Sequence, residues 1–223
     1  MTGALFRSAA AVTVSAIVAL SAAGCGGSDP SSMKPDNPGG VVISGVHQDT
    51  MFFGAEPPRP YRMPDVTLTA TNGAPFNLVH DTAYKVTLVF FGYTNCPDVC
   101  PLVMSDLTST YLHLPTTLRN ETQVLFITTD PARDNTATLR RYLDRYDSDF
   151  VGLTGNLGDI VAAGNAMGVA IEGRRRLPSG GYDVGHGAQV VGFSGHTAPV
   201  IWTGSTIGDV HDMVSDISRL AGS

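Results

Sequence analysis

Two apolar runs, YKVTLVFFGY at Tyr84–Tyr93 and TQVLFITTD at Thr122–Asp130, restrict the fold more than any other feature of this chain. Neither alternates polar with apolar, and both are rich in β-branched and aromatic residues. A strand of that kind is buried on both faces, which requires other layers above and below its sheet. Between the runs, PLVMSDLTSTYLHL sets Leu107, Tyr111 and Leu114 on one helical face, with Pro101 at a tolerated first-turn position. The order strand, helix, strand predicts an α/β sheet in three layers.

The flanking segments extend this pattern. Ahead of it Val66, Leu68 and Ala70 alternate, Asn72-Gly73 is a strong turn signal, and Phe76 and Leu78 resume, which predicts an N-terminal β-hairpin. Behind it, Asp134 and Thr136 offer caps for a helix through ATLRRYLDRY. FVGLTG and VAIEG read as strands around the helix LGDIVAAGNAMG. RRRLPSGGYDVG reads as a hairpin turn, HTAPVIWT as a strand and IGDVHDMVSDISRLAG as a closing amphipathic helix. Arg174–Arg176 suit a solvated hairpin tip or a docking point for an acidic partner. Met104, Met167 and Met213 fit helix faces and read as core. In such sheets ligands bind beyond the carboxyl ends of the strands. Cys96, Asp130 and the segment near His196 are expected there.

The N-terminus sets the compartment. One basic residue, Arg7, precedes an uncharged apolar stretch that is short for a membrane span and ends in AAGC at Cys25. Small residues before a lone cysteine resemble the bacterial lipobox, so residues 1–25 read as a signal peptide and Cys25 as its lipidation site, with an uncleaved N-terminal anchor as the alternative. Residues 26–58, opening GGSDPSSMKPDNPGG, read as a flexible linker and N-terminal extension. Residues 59–223 are then the folded domain, expected at the extracytoplasmic face of the cell membrane. The formal net charge of −6 lacks the basic stripe that nucleic acid requires.

With Cys25 set aside, the domain has two cysteines, Cys96 and Cys100, just past the first buried run. A disulfide closing so short a loop removes little chain entropy, so a purely structural bridge is a poor explanation. Pro97 and Pro101 argue for a loop entering a helix at Pro101, with Cys100 at its N-cap. The positive end of the helix dipole would favour thiolate. Thiolates serve disulfide exchange and soft metals alike. A histidine would complete a metal set. His47 and His80 lie in loops, His113 and His211 on helices, and His186 in a glycine-flanked loop. His196 immediately precedes a strand and is the favoured candidate.

At these residues the chain resembles the SCO/SenC copper-chaperone family. LVFFGYTNCPDVCP is similar to its metal-site signature, TTDPARD to a second signature, and GHTAPVIW to the segment carrying its histidine ligand. The resemblance runs from about Met63 to the C-terminus. It implies a thioredoxin-like fold with C-x-x-x-C in place of C-x-x-C. It implies copper, as Cu(I) and also Cu(II), held by Cys96, Cys100 and His196. It implies delivery to an apo cytochrome oxidase subunit carrying the copper A site, with an upstream copper donor or thiol reductant as further partner. Gly195 stands where aspartate usually precedes the ligand histidine, so Asp130 or Asp134 is expected to orient the ring instead. A thiol-disulfide oxidoreductase, with Cys96 attacking and Cys100 resolving, is the competing reading. A peroxidase is weaker, because GYTNCP lacks the expected preceding proline.

Overall fold

The computed structural model describes residues 50–178, 180–204 and 207–222; Cys25 and the signal-peptide reading lie outside them. The first apolar run is β4 (Val86–Gly92) and the second is β5 (Thr122–Thr128), paired in parallel with Val86 opposite Thr122 and Gly92 opposite Thr128. Every residue of both strands is buried. Alternation along β4 divides the interior into two cores. Leu88 and Phe90 point into one with Val124 and Phe126; Val89 and Phe91 point into the other with Leu125 and Ile127. Each such side chain contributes roughly 1.5–3 kcal/mol by leaving water.

Helices cover both faces. The first core is closed by α1 (Val99–His113), α3 (Thr136–Leu143) and α5 (Val210–Gly222), and the second by α4 (Leu157–Ala166). Met104, Met167 and Met213 are fully buried, as their spacing predicts. The cap of α3 is Asn135, between the two expected candidates, its side chain accepting the Thr138 N–H at 2.9 Å. A short helix, α2 (Thr116–Asn120), precedes β5.

β6 (Val151–Thr154) continues the parallel pairing beside β5. The N-terminal hairpin is present as β2 (Thr67–Ala70) and β3 (Pro75–Asn77), joined to that edge through β6. On the other side, β9 (Val190–Ser194) runs antiparallel to β4, and β10 (Thr197–Trp202) antiparallel to β9. The β9–β10 register shifts between Thr197 and Val200, around Pro199, which has no N–H to donate. β1 (Tyr61–Arg62) ends the sheet beside β10. The eight strands lie in the order β1-β10-β9-β4-β5-β6-β2-β3. β7 (Ile171–Arg176) and β8 (Tyr182–His186) form a separate two-stranded sheet. The three arginines thus lie on β7 itself, before the turn.

β9 was not expected from the sequence. Gly192 interrupts its apolar run, and the structure shows why glycine is there: an added Cβ would lie 2.5 Å from the Trp202 ring. This strand decides which end of the molecule each late histidine occupies, because every added strand reverses the chain.

Residues 50–58, grouped with the extension by composition, include Phe52, which is buried in the first core. The buried carboxylate of Asp216 on α5 accepts the Phe53 and Gly54 N–H groups, each at 2.9 Å. It also accepts from Trp202 Nε1 at 3.0 Å and Arg219 at 2.9 Å. Replacing Asp216 by Ala leaves these donors without their acceptor, a loss expected to cost about 3 kcal/mol. Urea unfolding of Asp216→Ala against the parent chain measures it, as a lower midpoint at unchanged slope.

Candidate metal centre

β4 ends at Gly92 and the chain turns at once toward α1. In the turn, Cys96 N–H donates to the Tyr93 carbonyl at 3.1 Å, which brings the Cys96 sulfur back over the start of the helix. α1 begins at Val99, one residue before Cys100, with Asp98 in the cap position. Cys100 is therefore in the first turn rather than at the N-cap. Asp98 makes no side-chain cap bond; instead the Cys96 sulfur accepts the Cys100 N–H at 3.4 Å. A sulfur takes the place usually held by a serine or aspartate oxygen.

The two thiols differ. Cys96 is half-buried and Cys100 fully buried. The Cys96 pKa is lowered to about 3, chiefly because the Cys100 thiol donates to it, with the Asp98 and Cys100 N–H groups adding to this, against burial. The Cys100 thiol is pushed far up, first by that same bond and then by burial. The reduced pair is thus one thiolate and one thiol sharing a proton along the S–H···S⁻ axis.

The third group is His186, at the end of β8. Its Nε2 lies 3.5 Å from Cys100 Sγ. Nδ1 lies 2.9 Å from the Gly187 carbonyl oxygen. A carbonyl oxygen only accepts, so Nδ1 carries the proton and Nε2 presents its lone pair to the sulfurs. Edge contacts with Phe90 and Tyr93, at 6.3 and 5.7 Å between centroids, hold the ring. Donor atoms of Cys96, Cys100 and His186 all lie within 4.8 Å of one another. Three donors each ~2.2 Å from a common ion stand about 3.8 Å apart, so little closure is needed.

The expectation at His196 is corrected. That residue is exposed in the β9–β10 turn, where its carbonyl accepts the Met63 N–H. Ser194 pairs with Val86, the first residue of β4, whereas Cys96 lies past the last, Gly92. The length of β4 separates them, on the order of 20 Å at ~3.3 Å per residue. Neither Asp130 nor Asp134 orients the imidazole, since Gly187 does so. Asp134 instead accepts from Thr94 N–H at 2.9 Å, Thr94 Oγ1 at 2.6 Å and Thr128 Oγ1 at 2.7 Å, tying the cysteine turn to β5. Asp130 accepts from Arg133 and from the Tyr182 hydroxyl at 3.0 Å. His186 was visible in the sequence only as a glycine-flanked histidine. The signal for it was the preceding YDV, whose Val184 is buried and makes this segment a strand rather than a loose turn.

Comparison with known proteins gives a consistent picture. The SCO1/SenC family profile matches residues 56–221. A putative copper-binding protein of Stutzerimonas stutzeri is 34% identical over 129 residues, 58% of this chain and 62% of that protein. The chain thus spans less than two thirds of the length of that relative. The solution structure of apo Sco1 from Thermus thermophilus superposes with a TM-score of 0.67 at 28% identity, covering 78% of this chain and 99% of that one. Yeast Sco1 with copper bound superposes with a TM-score of 0.62 at 26% identity, covering 77% and 90%. The fold is thioredoxin-like.

A thiolate this stabilised has a pH signature. Its folded pKa lies below the ordinary thiol value of ~8.5. The stability it contributes is complete above that value and is lost as pH falls toward about 3. Between pH 4 and 8 the advantage in urea midpoint of the reduced parent over Cys96→Ser should widen with rising pH. Alkylation of Cys96 by iodoacetamide should stay nearly flat from pH 8 to 5, where an ordinary thiol slows about tenfold per unit; peptide mapping should find Cys100 unmodified while the protein is folded.

Proposed function

The chain belongs to the SCO1/SenC family, and from that premise we propose that it is a copper metallochaperone using Cys96, Cys100 and His186. The observation carrying this reading is the convergence of two sulfurs and one lone-pair nitrogen at the carboxyl end of β4. Thiolate and imidazole donors suit cuprous copper, which accepts low coordination; the cupric form is the second state proposed. Loading displaces the proton shared by the cysteines, so binding weakens in acid.

The geometry supports an order of exchange. Cys96 is half-buried at the mouth and is the first sulfur an acceptor's ligand reaches, while Cys100 lies behind it at the helix start. An incoming thiolate or imidazole can enter the open side of a three-coordinate ion as Cys96 leaves. The cargo is proposed to pass to the copper A centre of a respiratory cytochrome oxidase, and Cys25 to hold the protein by lipid at the extracytoplasmic face. Among the described residues no helix is long and apolar enough to cross a membrane.

A second reading rests on the same asymmetry of the thiols. As an oxidoreductase, the Cys96 thiolate attacks a partner disulfide and one partner thiolate leaves, taking a proton from solvent. Cys100 then loses its proton and attacks the Cys96 sulfur, releasing the second partner thiol. The partner gains two electrons and this chain ends as the disulfide. The convergence of His186 on the sulfurs, which disulfide exchange does not require, favours the metal reading.

Anaerobic Cu(I) titration of the reduced protein tests the choice. One tight equivalent is expected in the parent, lost or weakened at least a hundredfold in Cys96→Ala and Cys100→Ala, clearly weakened in His186→Ala, and unchanged in His196→Ala. Weak copper binding that ignores His186, together with brisk reduction of a disulfide peptide, would transfer the assignment to the oxidoreductase.

A further inference from the structure

His186 rides on a hairpin that, among the described residues, forms no ladder with the eight-stranded sheet. Something else must hold the ring against the sulfurs. Val184 is buried in the first core, and the Gly187 N–H donates to the Ala170 carbonyl at 2.9 Å. Tyr182 packs against the first core and Ile171 against the second, and a further attachment is a cluster of polar contacts around one buried carboxylate. Asp130, buried in the turn after β5, accepts from Arg133 of its own turn, from Tyr182 Oη on β8 at 3.0 Å and from Arg174 Nη2 on β7 at 3.5 Å. Arg133 reaches the hairpin a second way, donating to the Tyr182 carbonyl at 3.2 Å. The guanidinium carbons of Arg133 and Arg174 lie 3.8 and 4.7 Å from the centroid of the Tyr182 ring. Arg133 also lies 5.7 Å from the centroid of Tyr93, the ring that meets His186 edge-on.

We propose that Asp130, Arg133, Arg174 and Tyr182 form a clasp that seats His186, and that the strength of this clasp decides whether the centre is a three-ligand site or a bare dithiolate. This rests on the copper reading above. These are positioning residues: their hydrogen bonds and ion pairs are with one another, not with a donor atom of the centre. The carboxylate is buried and its partners come from its own turn and from both strands of the hairpin, so an open clasp leaves a charge in the interior with fewer donors. That cost favours the closed hairpin, and the closed hairpin brings the imidazole to the sulfurs. The same signature turn after β5 thereby serves the histidine through the strand that carries it, not through the ring.

The test is a double-mutant cycle on the full chain. Arg174→Ala with Tyr182→Phe removes both hairpin donors to Asp130 while leaving the buried Asp130 and Arg133 in place. In the parent background the pair should lower Cu(I) affinity about tenfold, read by competition with a chromophoric Cu(I) chelator, in the range usual for groups that orient metal ligands. X-ray absorption of the loaded protein should show the nitrogen contribution reduced and the two sulfurs retained. In a His186→Ala background the same pair should change affinity less than about twofold. An equal fall in both backgrounds, or no fall in either, overturns the clasp. If His186→Ala alone binds Cu(I) as tightly as the parent, the histidine is not a ligand, and the three-ligand centre falls together with the clasp, while copper held by the two cysteines stands.

Discussion

Parallel pairing of β4 with β5 is the interaction on which everything else in this molecule depends. It buries two strands on both faces and so demands the two helical layers. It also brings their carboxyl ends to one place, so that the turn bearing Cys96 and the turn bearing Asp130 and Asp134 emerge side by side. Asp134 then joins the two turns through Thr94 and Thr128. The centre is assembled from loops, but the loops are fixed to the ends of the most deeply buried strands in the fold.

Helix and thiol chemistry are joined at the next step. The first turn of α1 needs an acceptor, and Cys96 supplies one in the form of a sulfur. The helix is thereby capped best when that sulfur is charged, and the sulfur is charged most readily because the helix and the Cys100 thiol donate to it. Beneath them Gly92 leaves room: a Cβ there would stand 3.1 Å from Cys100 Sγ and 3.0 Å from the rings of Phe90 and Phe126.

The sequence made the core and the cysteines legible because both are local. Uninterrupted apolar runs identify buried strands, and Cys96 and Cys100 follow one of them directly. The histidine that meets the two sulfurs is a matter of topology, and it was not legible in the sequence. Omitting β9, disguised by Gly192 under Trp202, reverses the direction of the chain and moves the site from His186 to His196 at the opposite end of β4. The orienting carboxylates failed for a different reason. A backbone carbonyl, that of Gly187, does the work expected of Asp130 or Asp134, and no residue identity announces a carbonyl. The buried anchor at Asp216 was equally silent, since an aspartate in an amphipathic helix reads as surface.

The separation of the β7–β8 hairpin from the main sheet frees its turn from the pairing of the scaffold. Among the described residues no strand register links the ladder carrying His186 to the eight strands behind it. Substitutions, insertions or a changed turn between Arg176 and Tyr182 therefore leave the pairing of the scaffold intact. The turn of the hairpin that carries His186 and the register of the main sheet become separate traits, open to adjustment one at a time.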